Sequence, residues 1–230
     1  MTAKVEPDPK PSFPFSMVES MMPMYPLIAL MGWMLVVISF VIGFTTLSSA
    51  VTEWFSEVKA DREASTALND AQTTIHVIET WLPNLKFLGL GLGLLAINMA
   101  LGTIAKKLRH MGKVISYHIE ESQRQKMPEI PNRVRLFQGS AMMGIMILMA
   151  TLIIGLVLAF GTVTDYYESD TQAGHNLDTD TSDLGTIAAI PHWLGPLRMM
   201  GMAFLFAGIT IALTVIIGTL KYQEDMLKNL

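Results

Sequence analysis

Four apolar runs constrain this chain more than any other feature. They cover residues 25–50, 83–105, 140–163 and 196–220. A helix needs about 20 apolar residues to cross a bilayer, and each run is long enough. None carries an ionisable side chain near its centre. Lys86 and Arg198 stand at the start of the second and fourth runs, where long side chains reach the headgroup layer. Charged residues make up 16% of the chain, against about a quarter in a soluble domain. The expected fold is therefore all-α: a polytopic membrane protein of four transmembrane helices. Buried core helices of a soluble bundle are the weaker reading.

The first 24 residues hold Pro7, Pro9, Pro11 and Pro14 with Glu6 and Asp8, which is not the pattern of a cleavable signal. The first run is expected to act as both targeting signal and anchor. The absence of cysteine excludes disulfides, thiolate metal sites and a cysteine nucleophile.

Basic residues set the expected orientation. The segment between the second and third runs holds Lys106, Lys107, Arg109, Lys113, Arg124, Lys126, Arg133 and Arg135. The segment 51–82 holds only Lys59 and Arg62, and 164–195 holds none. Both termini and the second loop are thus expected in the cytoplasm, with loops 51–82 and 164–195 on the outer face. The outer loops carry twelve of the 20 acidic residues, so the net charge of −4 averages a basic face and an acidic one.

The chain also repeats itself. Val51-Thr52-Glu53-Trp54-Phe55 returns 112 positions later as Val163-Thr164-Asp165-Tyr166-Tyr167. In the same ungapped register Met31-Gly32 falls on Met143-Gly144, Ile42-Gly43 on Ile154-Gly155, and Trp81-Leu82 on Trp193-Leu194. Lys86 falls on Arg198, Gly89 on Gly201, and Ala100-Leu101 on Ala212-Leu213. Matched tryptophan, glycine and basic positions in one register point to duplication. Each copy reads as a two-helix hairpin, and the pair as a four-helix bundle with pseudo-two-fold symmetry about the membrane normal. The organisation is then a cytoplasmic or interfacial segment 1–24, a first hairpin 25–126 with an amphipathic inner extension, and a second hairpin 127–230 with an acidic outer loop. The aromatic residues after each outgoing helix, and Trp81 and Trp193 before each return, suit the bilayer interface.

Several finer features follow. Gly89 and Gly93 have the small-xxx-small spacing that lets helices approach closely; only Gly201 is kept in the second copy. Asn98 and its equivalent Thr210 are the most polar mid-run residues, suited to interhelical hydrogen bonds. In the first outer loop the outgoing helix is expected to continue to about Ala67, with Asp70 capping a separate short helix that carries Ile75, Ile78 and Trp81. The third loop reads as polar and turn-rich. No helix is expected to be interrupted by proline. The inner basic stretch, 106–135, is suited to contact with anionic lipid or a partner subunit.

Candidate chemistry is sparse. Asp178, Asp180 and Asp183 place oxygens at alternate positions, as a calcium loop does, but no glycine stands at its sixth position and no glutamate at its twelfth. A solvated acidic loop is the better reading. His76 and Glu79 lie one helical turn apart and, with His175 or His192, offer a conceivable copper or zinc set. Surface histidines explain them more simply. The chain has 18 methionines, and Met142, Met146 and Met149 share a helix face; flexible packing accounts for them. His110 and His118 lie in the inner stretch, and no histidine stands within a run to ligate haem. No P-loop, nucleophile-elbow, zincin or dinucleotide motif is present.

The expected role is a non-catalytic accessory subunit of a larger membrane complex, with the bilayer and other membrane subunits as partners, no nucleic acid and no cofactor of its own. A host enzyme handling electrons or small gases, such as a membrane-bound oxidoreductase, suits the apolar interior. The alternatives are a small oligomeric channel or transporter, and a sensor whose acidic outer loop binds a cation.

Overall fold

The computed structural model describes residues 20–58, 65, 68–118, 131–168 and 181–228. Among these residues all regular secondary structure is helical. A 3-10 turn, Met22–Met24, opens it. Helix α1, Tyr25–Ile42, passes through a π-helical turn, Gly43–Leu47, into α2, Ser48–Trp54. Helix α3 is Asn69–His118. Helix α4, Pro131–Leu158, passes through a second π-helical turn, Ala159–Val163, into α5, Thr164–Glu168. Helix α6 is Thr181–Leu227.

Among the described residues four helical stretches are long and apolar enough to cross a membrane: Met22–Trp54, Asp70–Ser116, Arg135–Tyr167 and Leu184–Leu227. Such runs become helices because apolar surroundings offer no water to backbone groups, which must then bond within the segment. Hydroxyls are satisfied the same way. Ser39, Thr80, Thr103, Thr210 and Thr219 each donate to the carbonyl one turn earlier, at 2.6–3.0 Å.

The loops depart from the sequence expectations. The first helix does not run to Ala67. It stops at Trp54, where Phe55 leaves helical geometry and Ser56 turns back to bond Glu53. Asp70 does not open a separate short helix. It lies in the first turn of α3, which continues unbroken for 50 residues, a length of about 75 Å. The third loop is shorter than expected, because α6 begins at Thr181, fifteen residues before the apolar run.

Prolines explain why these joins were missed. Pro83, Pro191 and Pro196 all lie inside helices, where a proline costs roughly 3 kcal/mol by removing one N–H and crowding the preceding turn. Burial offsets that cost here. Leu82 and Leu194, next to these prolines, are among the most deeply buried side chains. The Thr80 hydroxyl and the Asn84 amide supply donors to the carbonyls of His76 and Thr80, in the turn that Pro83 disturbs.

By its contacts the chain forms two units. The first comprises the chain up to Leu30, Leu92–Gly144 and the chain from Ala203 onward. The second comprises Met31–Gly91 and Ile145–Met202. In the first unit, Met22, Phe137 and Ala212 form one core cluster, Ile28, Ala96 and Met99 another, and Tyr222 with Met226 a third. Polar side chains tie its helices: Ser140 donates to the Phe204 carbonyl at 2.6 Å, and Gln223 to that of Leu108 at 2.7 Å.

In the second unit, Val77, Ala159, Val163, Tyr167, Ile190 and Leu194 form the core, with Trp81, Ile154, Leu158, Tyr166 and Ile187 around them. The π-helical turn Ala159–Val163 sits inside this cluster. Its wider coil is registered by Thr164, whose hydroxyl donates five residues back, to Ala159, at 2.9 Å.

Candidate functional site

The polar chemistry of the second unit converges where the N-terminal third of α3 meets α6. A cavity of about 170 Å³ is lined by His76, Glu79, Thr80, Ile187, Ile190, Pro191, Leu194 and Arg198. His76, Glu79 and Thr80 face one way because they are spaced three and four apart on one helix. Ile187, Ile190, Pro191, Leu194 and Arg198 follow the same spacing on α6.

His76 is held by stacking. Its ring lies on that of Tyr167 with centroids 4.3 Å apart and planes 12° from parallel, and Tyr166 meets Tyr167 edge-on at 5.0 Å. Its Nδ1 stands 4.0 Å from the Glu79 carboxylate. His76 lies before the apolar run that opens at Pro83. Its pKa falls below the ordinary histidine value, because burial disfavours the imidazolium more than Glu79 stabilises it. At neutral pH it is an uncharged donor and acceptor.

Arg198 supplies the opposite polarity. Its guanidinium lies over the Phe87 ring, 5.3 Å from the centroid. Its Nε is buried and has no hydrogen-bond acceptor. Two prolines add latent acceptors, since Pro83 and Pro191 have no N–H to give the carbonyls of Glu79 and Ile187. Both of those residues line the cavity.

The proposed metal residues are only partly assembled here. His76 and Glu79 come together; His175, Asp178 and Asp180 lie outside the described residues, as does the side chain of Asp183. His192 is exposed on α6 and does not line the cavity. Among the described residues no three His, Cys, Asp or Glu side chains gather to hold a metal.

The residues singled out for packing fall in different settings. Gly89 is buried, and a Cβ there would lie 2.9 Å from the Gly32 carbonyl oxygen and from Val36. Gly93 has open space around its Cα, and Gly201 is buried. Asn98 is buried and donates to the carbonyls of Leu94 and Leu205, both at 3.1 Å. Thr210 is exposed and bonds back to Phe206. Trp81 packs on the second unit's core, whereas Trp193 is exposed.

Sequence reasoning missed Asn84, which is fully buried against Gly155. It stands fourteen residues before Asn98, about four helical turns, and this polar pair on one face was the available signal. The role of Tyr167 as a platform for His76 had no signal beyond the repeated aromatic pair.

No family model matches the chain, and no curated protein or solved structure shows significant similarity to it. The class of protein is therefore defined by the fold itself: a helical chain with four helices long and apolar enough to cross a membrane.

Proposed function

We propose that this chain is an integral membrane protein that serves as a non-catalytic subunit of a larger membrane complex. The observation that carries this reading is the outer face of the first helix. Its apolar window has a mean hydropathy of 2.6, yet only 17% of it is buried within the chain. Trp33, Phe40 and Phe44 are 72%, 68% and 71% exposed, and they recur with Val37 along one helix face. Phe40 and Phe44 stack at 6.2 Å. A continuous apolar and aromatic surface of this kind is untenable in water. In a bilayer it meets lipid tails or the helices of another subunit.

The reading of two repeated hairpins belongs to the same proposal, and equivalent burial supports it. Gly32 and Gly144, Ser39 and Thr151, Ile78 and Ile190, Leu82 and Leu194, and Gly89 and Gly201 are all buried, each pair 112 residues apart. Ser39 and Thr151 also both bond back to their own helix, at 2.6 and 2.8 Å. The excess of basic residues in 106–135 supports a cytoplasmic side for that segment and for both termini. Mid-run polarity supports scaffolding over conduction, because Asn98 is consumed by the carbonyls of Leu94 and Leu205.

The test is purification from native membranes in mild detergent, followed by mass spectrometry of the intact assembly. Unlike subunits in fixed stoichiometry are expected. A chain that migrates alone or only with itself refutes the subunit assignment.

A further inference from the structure

The cavity beside Arg198 has an apolar wall, one cation and one carboxylate, and this combination defines a ligand class. We propose that it binds a phosphodiester headgroup bearing an amine, supplied by a membrane lipid. The inference rests on the membrane reading above.

Arg198 carries the argument. Among the described residues that line the cavity it is the one arginine or lysine. Stacking on Phe87 fixes its guanidinium at 5.3 Å, and its buried Nε has no acceptor. A charged donor left unmet in a half-buried position is costly. Phosphate oxygens match the guanidinium fork better than any other common ligand group. The residue opens the fourth apolar run, which is the depth of lipid headgroups. Ile187, Ile190, Pro191 and Leu194 form an apolar wall suited to the glycerol and upper acyl carbons.

Glu79 decides the kind of phosphate. Its carboxylate also lines the cavity and is 56% exposed. It repels a phosphate dianion and attracts an ammonium group. A headgroup with one phosphodiester charge and one amine satisfies both Arg198 and Glu79; free inorganic phosphate satisfies only the first.

The experiment uses the full-length protein. Membranes are first washed with alkaline carbonate; release of the chain at this step refutes the membrane reading itself. Retained protein is purified in detergent and examined by native mass spectrometry with phosphatidylethanolamine, phosphatidylglycerol or inorganic phosphate. Wild type is expected to retain phosphatidylethanolamine in preference to phosphatidylglycerol. Arg198→Gln should lower that retention about tenfold, the worth of one charge-assisted hydrogen bond, and Arg198→Lys should fall between. Glu79→Gln should keep lipid but lose the preference. Lys86→Gln, an exposed cation at the equivalent position of the other copy, should behave as wild type. If Arg198→Gln is monodisperse and binds lipid as wild type does, the site is refuted. Equal loss in Lys86→Gln refutes it too. Displacement of the lipid by inorganic phosphate refutes the lipid source. Should Arg198→Gln not fold, unaltered preference in Glu79→Gln is enough to overturn the proposal.

Discussion

Gly155→Ala tests the packing of the second unit at its most demanding point. A Cβ on Gly155 would land on the side-chain amide of Asn84. Asn84 has little room to retreat. It is fully buried, and its Nδ2 donates to the Thr80 carbonyl at 3.1 Å. Its Oδ1 already has no donor. The new methyl therefore forces either the amide or the helix to move. Overpacking a core costs about 1–3 kcal/mol, and breaking the amide's remaining bond leaves a buried polar group unmet for about 1–3 kcal/mol more. Gly155→Ala is expected to destabilise by about 2–6 kcal/mol in total.

The companion variant makes that reasoning refutable. Asn84→Ala removes the obstruction and the buried amide together, so Gly155→Ala should cost far less in its presence. A double-mutant cycle should return a favourable coupling of about 1–3 kcal/mol. The assay is unfolding of the detergent-solubilised protein by heat or by increasing SDS, followed by tryptophan fluorescence. Additive effects would show that Asn84 and Gly155 do not share the space the structure gives them. A Gly155→Ala protein as stable as wild type would show the same.

Three further outcomes are expected. Gly89→Ala should destabilise by about 2–3 kcal/mol, because its methyl meets the Gly32 backbone oxygen at 2.9 Å, whereas Gly93→Ala, with open space, should be neutral or slightly stabilising, since alanine is the better helix former; thermal unfolding of the two variants side by side decides. Asn98→Ala should lose about 1 kcal/mol by removing the donation to Leu205, measured the same way. Stability should also fall on acidification through the window below the ordinary histidine pKa: His76 has a lowered pKa in the fold, so the unfolded chain binds the proton first. Midpoints recorded from pH 7.5 to 5 should drop less for His76→Gln than for wild type, and an equal drop would remove His76 as the cause.

The four apolar helices were legible because a run of about 20 apolar residues is long enough to cross a bilayer, and Lys86 and Arg198 marked where two of those runs open. Helix continuity was not. The second and fourth apolar runs open at Pro83 and Pro196, where a proline costs helix stability locally. The neighbouring Leu82 and Leu194 repay that cost through tertiary burial, which a local reading cannot weigh. The charged composition after Trp54 favoured more helix, but the chain turns at Phe55 and Ser56. His76 and Glu79 were identifiable from spacing alone. Arg198 was seen only as a snorkelling cation, because the α3 residues that complete its cavity, His76, Glu79 and Thr80, lie more than a hundred positions away in sequence.

The two asparagines of α3 follow a common rule. Asn84 is seated against Gly155, and Asn98 against Gly208, where a Cβ would lie 2.7 Å from its Oδ1. Both side chains are buried, and both Oδ1 atoms have no donor. An apolar residue at either position avoids the cost of an unmet acceptor, so the modest gain from each donated hydrogen bond does not by itself account for them. Their amides instead occupy space that only a glycine on the facing helix leaves open. Any slip of α3 by one turn carries each amide off its glycine and onto a larger side chain. Apolar helices in lipid have little hydrophobic drive to choose one register over another, and a polar side chain fitted to one glycine supplies that choice. Register fixed in this way supports the scaffold role proposed above, in which a partner needs one constant surface.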